Sequence, residues 1–129
     1  MKRLLLIGIF IFPLLLLGCS DEISKEHARY LESFGWHIKN KHTEETHVLH
    51  KLLPETLETY KNAGLDLTSY KDKEVYITKY LLTERHKKDG KIYACVYEVN
   101  GEIIGGFALL EDYSPGVVSL SDKERLVKK

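Results

Sequence analysis

Sulfur, proline and net charge are all scarce in this chain. Its 129 residues include two cysteines, three prolines, one methionine and one tryptophan. Two thiols can form at most one disulfide, which excludes a cysteine-stapled scaffold. Basic and acidic residues balance at 19 each, which excludes a strongly basic nucleic-acid binder. No apolar run reaches the roughly 20 residues that a spanning helix needs, so a multi-pass membrane protein is excluded too. A nucleophile elbow and a phosphate-cradling glycine loop are also missing.

The most informative stretch is the first one. Residues 1–18 hold Lys2, Arg3, no acid and thirteen apolar residues. The apolar run 4–17 is broken only by Gly8 and Pro13, a length that suits a signal-peptide core better than an anchor. It ends in Leu16-Leu17-Gly18-Cys19 and turns polar at once with Ser20-Asp21-Glu22. This segment resembles the bacterial lipoprotein signal. There the cysteine thiol takes a diacylglycerol, with acyl chains such as palmitate, and the chain is cut just before it. The resemblance implies a signal peptide at 1–18 and a lipidated Cys19 in a short tether at 19–24. It also implies anchoring to the cell membrane on its extracytoplasmic face. Two acyl chains hold a protein stably where one is marginal. Lipid on Cys19 leaves Cys95 as the remaining thiol, within Tyr93-Ala94-Cys95-Val96-Tyr97. That run reads as a buried strand, a setting that makes a core cysteine rather than a nucleophile.

After the leader, 17 basic and 19 acidic residues remain, enough chain for one small domain. Ser24 can cap a helix running to about Phe34, with Ile23, Tyr30, Leu31 and Phe34 on one face and Gly35 just beyond its end. Short extended pieces are expected at 36–39 and 46–50, separated by the polar stretch 40–45. Pro54 suits the first turn of a second helix, with Leu57 and Tyr60 at helical spacing and Gly64 past its end. From Glu74 the pattern switches to strand: 75–83, 91–99 and 102–110 are rich in β-branched and aromatic residues. Asp89-Gly90 marks one turn. Asn100-Gly101 is the stronger hairpin signal, because a type I′ turn needs two positive φ values. Residues 113–116 break the pattern, and 117–120 add a last short strand. Ser121 and Glu124 have capping-box spacing, but a charged terminal stretch at 121–129 is expected to fray.

Tyr30-Leu31-Glu32-Ser33-Phe34-Gly35-Trp36, Pro54-Glu55-Thr56-Leu57, Gly64-Leu65-Asp66-Leu67 with Tyr70-Lys71, and the stretch from Asn100 through Gly105-Gly106 follow one another in order. Together they resemble an uncharacterised domain-of-unknown-function family of lipoproteins from Gram-positive, often spore-forming, bacteria. The resemblance covers about residues 28 to 110. The family commonly has an acidic residue after the Gly-Gly, where this chain has Phe107. The resemblance implies a fold and a location, and no activity.

Candidate chemistry is thin. His42, His47 and His50 lie close in sequence, with His37 nearby, and three such side chains could hold a metal. On a strand, though, positions three apart face opposite ways, so loop histidines are the expectation. His27, at the edge of the first helix's apolar face, reads as a packing histidine. Glu111-Asp112 is an acidic pair after a strand end. Gly105-Gly106 inside a strong strand marks a bulge or a close approach of another backbone. Arg85, Lys87, Lys88 and Lys91 put four fixed positive charges on the loop 85–91, which could touch anionic headgroups or simply be solvated.

The fold class expected is therefore α+β: two helices with an antiparallel meander of three to five strands, a domain over 25–120 and a tail over 121–129. The expected role is a non-catalytic binding or regulatory module at the cell envelope. Its partners would be the membrane, through Cys19, and an envelope protein. No cofactor, metal or nucleic acid is expected. The alternatives are a small envelope enzyme with a metal on His42, His47 and His50, or a structural subunit of an envelope or sporulation complex. Tyr76, Tyr80, Tyr93 and Tyr97 are the candidate recognition residues, on a sheet with one face covered and the other partly open.

Overall fold

The computed structural model describes residues 22–88, 90–111 and 116–127. The signal segment 1–18, Cys19 with the start of its tether, Asp89, Asp112 and positions 113–115 lie outside the described residues.

Helix α1 (Lys25–Glu32) starts where Ser24 accepts the His27 backbone N–H at 3.2 Å. It stops two residues short of Phe34, which stays at the surface with its ring edge-on to Tyr30. The chain then folds back: the Trp36 N–H reaches the Leu31 carbonyl at 3.1 Å, and both side chains are fully buried. The Trp36 indole N–H donates to the Leu120 carbonyl at 2.8 Å, tying the start of the domain to its end.

Strand β1 (Ile38–Val48) is a single strand of 11 residues, not the two short pieces expected on either side of a polar stretch. Nearly all its side chains are exposed, so it shows no apolar alternation to read. Backbone pairing with β2 makes it a strand. Two register irregularities and its charged side chains suit it to a sheet edge. Helix α2 (Pro54–Asn62) has proline in its first turn. Strands β2 (Glu74–Arg85), β3 (Lys91–Val99), β4 (Glu102–Leu110) and β5 (Val117–Val118) follow. The order β1-β2-β3-β4-β5, antiparallel throughout, is the expected meander with five strands. Asn100 and Gly101 have φ of 52° and 81° between the paired Val99 and Glu102, as a two-residue I′ hairpin requires.

A third helix among the described residues corrects the two-helix expectation. Within the stretch read as a fraying tail, α3 (Lys123–Leu126) follows a 3₁₀ turn over Leu120–Asp122. Ser119, rather than Ser121, supplies the capping oxygen there. Leu120 and Leu126 are buried, and Val127 bridges to His86, so apolar residues hold this stretch against the fold despite its charge.

Alternation along β3 divides the sheet into two faces. Ile92, Ala94 and Val96 meet Tyr80, Leu82 and Ala108 under α1 and the C-terminal turn. Cys95, Tyr97 and Val99 meet Ile77, Phe107 and Leu109 under α2 and its connections. Both faces are therefore covered, the one under α1 more fully and the one under α2 only in part. The Gly105-Gly106 step lies beside the β3–β4 register shift at Tyr97 and Glu98. A Cβ on Gly106 would stand 2.4 Å from the Cys95 carbonyl oxygen, so close backbone approach fixes glycine there.

Candidate functional site

The face under α2 carries a groove of about 600 Å³. Its floor is strand: Ile77, Cys95, Tyr97, Phe107 and Leu109. Its walls are Leu49 and Leu52 from the connection after β1, and Thr56 and Tyr60 from α2. Tyr60 stacks on Phe107 with ring centroids 5.0 Å apart, so Phe107 props the wall. Helix α2 buries none of its residues completely, which is why the groove stays open. The connection at 49–52 runs as a strap between this groove and a neighbouring cavity of about 410 Å³, and its four residues line both. Two backbone bonds hold the strap: Leu49 N–H to the Lys73 carbonyl at 3.0 Å, and Asp72 N–H to the Leu49 carbonyl at 2.7 Å. Lys51, Lys79, His47 and His50 stand around the groove, opposed by Glu45.

Cys95 is buried in the floor of this groove. Burial, partly opposed by Lys79, pushes its thiol up to about 11, so it stays protonated at neutral pH. The histidines of the expected cluster are not brought together. The His42 ring lies against Tyr93 at 5.0 Å, His47 meets Glu45 at 3.3 Å, and His50 meets Asp72 at 3.6 Å. His37 is further off, facing Glu84 at 2.7 Å. Among the described residues, no three His, Cys, Asp or Glu side chains are grouped to hold a metal ion.

The four candidate tyrosines are also separated. Tyr76 and Tyr80 share the face under α1, while Tyr93 and Tyr97 share the groove face. Tyr80 and Tyr97 are buried; Tyr93 is half-buried, with Lys79 Nζ 4.6 Å from its ring centroid. In the 85–91 loop His86 turns inward, while Lys87 and Lys88 remain exposed.

A polar cavity of about 430 Å³ lies on the other face, where α1 begins above β1, β2 and β3. His27 is buried there with both ring nitrogens engaged: Nε2 on Glu98 at 3.0 Å and Nδ1 on the Tyr80 hydroxyl at 2.5 Å. The carboxylate beside Nε2 favours a proton on that nitrogen, and in that tautomer Nδ1 accepts from the Tyr80 hydroxyl. Burial holds the Tyr80 hydroxyl up at about 12, against a hydrogen bond from the Ser24 backbone. Tyr76 donates to Glu44, and that bond raises Tyr76 to about 12 while lowering the Glu44 carboxyl. The packing histidine of the sequence reading is thus a polar tie between α1 and the sheet. A sequence signal for this site existed: Tyr76, Thr78 and Tyr80, two apart, put three hydroxyls on one strand face.

A family model described as a domain of unknown function matches residues 20–108. No curated protein and no solved structure matches the chain.

Proposed function

The chain belongs to that family, DUF4830, and from this premise we propose that it is a lipid-anchored, non-catalytic binding module on the extracytoplasmic face of the cell membrane. The anchor reading rests on the leader at 1–18 and the Leu16-Leu17-Gly18-Cys19 junction, which resemble the bacterial lipoprotein signal. The binding reading rests on one observation, the open groove. Its floor and walls are apolar, and lysines and histidines predominate around it. A concave apolar surface with a few placed polar groups is the usual form of a ligand site. The ligand class that fits is an amphiphile with an apolar body and an anionic end. Its body would lie over Ile77 and Leu109, and its charge would sit near Lys51 and Lys79.

Binding fits this groove better than catalysis does. Its thiol is held protonated, and its histidines are spread over separate partners. The test is a fluorescence titration with anilinonaphthalene sulfonate, an apolar anion, using the chain from residue 20 onward. Saturable binding, weakened by Leu52→Glu and by Lys79→Glu in a folded protein, is the expected result. Binding unchanged by both substitutions would remove the groove reading. The anchor is tested separately, by mass analysis of the protein made in a Gram-positive host. An N-terminus at Cys19 carrying diacylglycerol is expected, and an unmodified Cys19 would overturn it.

A further inference from the structure

The polar cavity at the start of α1 has no part in the groove reading, and its oxygen atoms are arranged for a ligand of a different kind. Thr78 is only 1% exposed, and its Oγ1 has no hydrogen-bond partner in the structure. Burying a hydroxyl without a partner costs about 1–3 kcal/mol, so native structures seldom leave one without a reason. Thr78 lies opposite Glu44 in the β1–β2 ladder and lines the cavity with it. Glu98 stands on the neighbouring strand, opposite Tyr76.

Each of the two carboxylates has one oxygen committed. Glu44 Oε2 receives both the Tyr76 hydroxyl and Lys41 Nζ, while Glu98 Oε1 faces His27. Glu44 Oε1 and Glu98 Oε2 carry no hydrogen bond to a described residue. The Glu98 side chain is only 16% exposed, which makes its second oxygen costly to leave without a donor. Three acceptor oxygens with spare capacity, two of them anionic, therefore line one cavity. Two of its donors are already used, Lys41 by Glu44 and the Tyr80 hydroxyl by His27, while Lys25, also at the cavity, is exposed.

We propose that this cavity is a binding site for a small primary ammonium group, whose three N–H donors meet Thr78 Oγ1, Glu98 Oε2 and Glu44 Oε1. A primary ammonium carries three donors and no acceptor, matching three acceptors in count and in charge. The Tyr80 ring and Ile23, at the same cavity, offer apolar cover for the carbon next to the nitrogen.

The test uses the full chain in dodecyl maltoside micelles and n-butylammonium chloride as the probe, followed by amide NMR shifts. Saturable shifts at Thr78, Tyr80 and Glu98 are expected. They should be absent with n-butanol, which lacks the charge, and with tetramethylammonium, which lacks the N–H donors. Glu44→Gln, on the exposed edge strand, should weaken binding by about tenfold while the protein keeps its fold, as loss of a charged hydrogen bond does. Thr78→Val keeps the side-chain shape and removes the unpartnered hydroxyl. It should raise the melting midpoint of the free protein and at the same time abolish the stabilisation that butylammonium gives. No saturable shift with butylammonium, equal binding of tetramethylammonium or butanol, or an unchanged affinity in Glu44→Gln would each overturn the proposal.

Discussion

The two faces of the sheet are built from the same strands and are closed to different degrees. Under α1, the fold is sealed by Leu31 and Trp36, both at 0% exposure, and by Leu120 and Leu126 from the C-terminal turn. Under α2, the covering helix buries no residue completely, and Leu49, Leu52, Leu57 and Tyr60 are only half-buried. Leu65, Leu67 and Val75 are deeply buried on this face too, but fewer residues are buried there than under α1. Apolar burial contributes in proportion to the area taken from water, so the larger share of stability lies on the sealed face. The open face gives up some of that burial and keeps a concave apolar surface available. One face holds the fold, and the other carries the groove for which we propose a binding role.

The sharpest way to break this comparison is to truncate one large side chain on each face. Trp36→Ala should cost about 3–5 kcal/mol, because it leaves a cavity and strands the Leu120 carbonyl. Leu52→Ala on the strap should cost about 1 kcal/mol, since part of that side chain is already in water. Urea denaturation of both variants measures the difference. Equal losses would mean that α2 closes its face as tightly as α1 does.

The paired glycines sharpen it further, because their missing side chains point to opposite faces. Gly106→Ala would press a methyl against the Cys95 carbonyl, with Tyr30 also near, and should cost about 1–3 kcal/mol. Gly105→Ala meets the end of the Leu65 side chain on the open side, a neighbour that can shift, although its φ of 151° adds backbone strain. The Gly106 change should be the more damaging, as read by the denaturation midpoint. Gly101→Val should cost about 1 kcal/mol from backbone strain alone, since nothing lies within 4 Å of the added Cβ.

The smallest effect is expected in acid, at the sealed end. Burial would raise the Glu84 carboxyl, but hydrogen bonds from the His37 ring and backbone, with Lys123 nearby, hold it below the usual range. A carboxyl lower in the folded chain contributes stability that is present above its unfolded value, about pH 4.3. That stability is lost as pH falls through the folded value. Glu84→Gln should therefore flatten the stability curve below about pH 4.3. An acid slope identical to that of the parent chain would count against the Glu84 contact.

Periodicity and turn chemistry made much of this fold legible. The extents 91–99 and 102–110 could be read directly, because β3 and β4 are apolar and the Asn100-Gly101 turn pins their register. Strand β1 was not legible as one element, since its polar side chains carry no alternation and its pairing with β2 is a property of the sheet. Helix α3 was hidden for a related reason. Its charges read as a tail, and only the placing of Leu126 and Val127 against the core gives it a role. The groove was out of reach because its lining comes from segments far apart in the chain, the walls from Leu49 to Tyr60 and the floor from Ile77 to Leu109. The polar cavity was half legible. The hydroxyl row at Tyr76, Thr78 and Tyr80 stood in the sequence, while its meeting with His27 and Glu98 depends on where α1 lands.

The division of labour between the two faces is tested most directly by mapping a ligand on them. Isotope-labelled chain from residue 20 onward would be titrated with decanoate, an anionic amphiphile, and followed by amide chemical shifts. Saturable shifts at Leu49, Leu52, Ile77, Cys95 and Leu109, with Leu31, Trp36 and Leu120 unmoved, are the result expected for a binding face and a holding face. Shifts centred on Trp36 and Leu120, or no saturable shift at any groove residue, would contradict it.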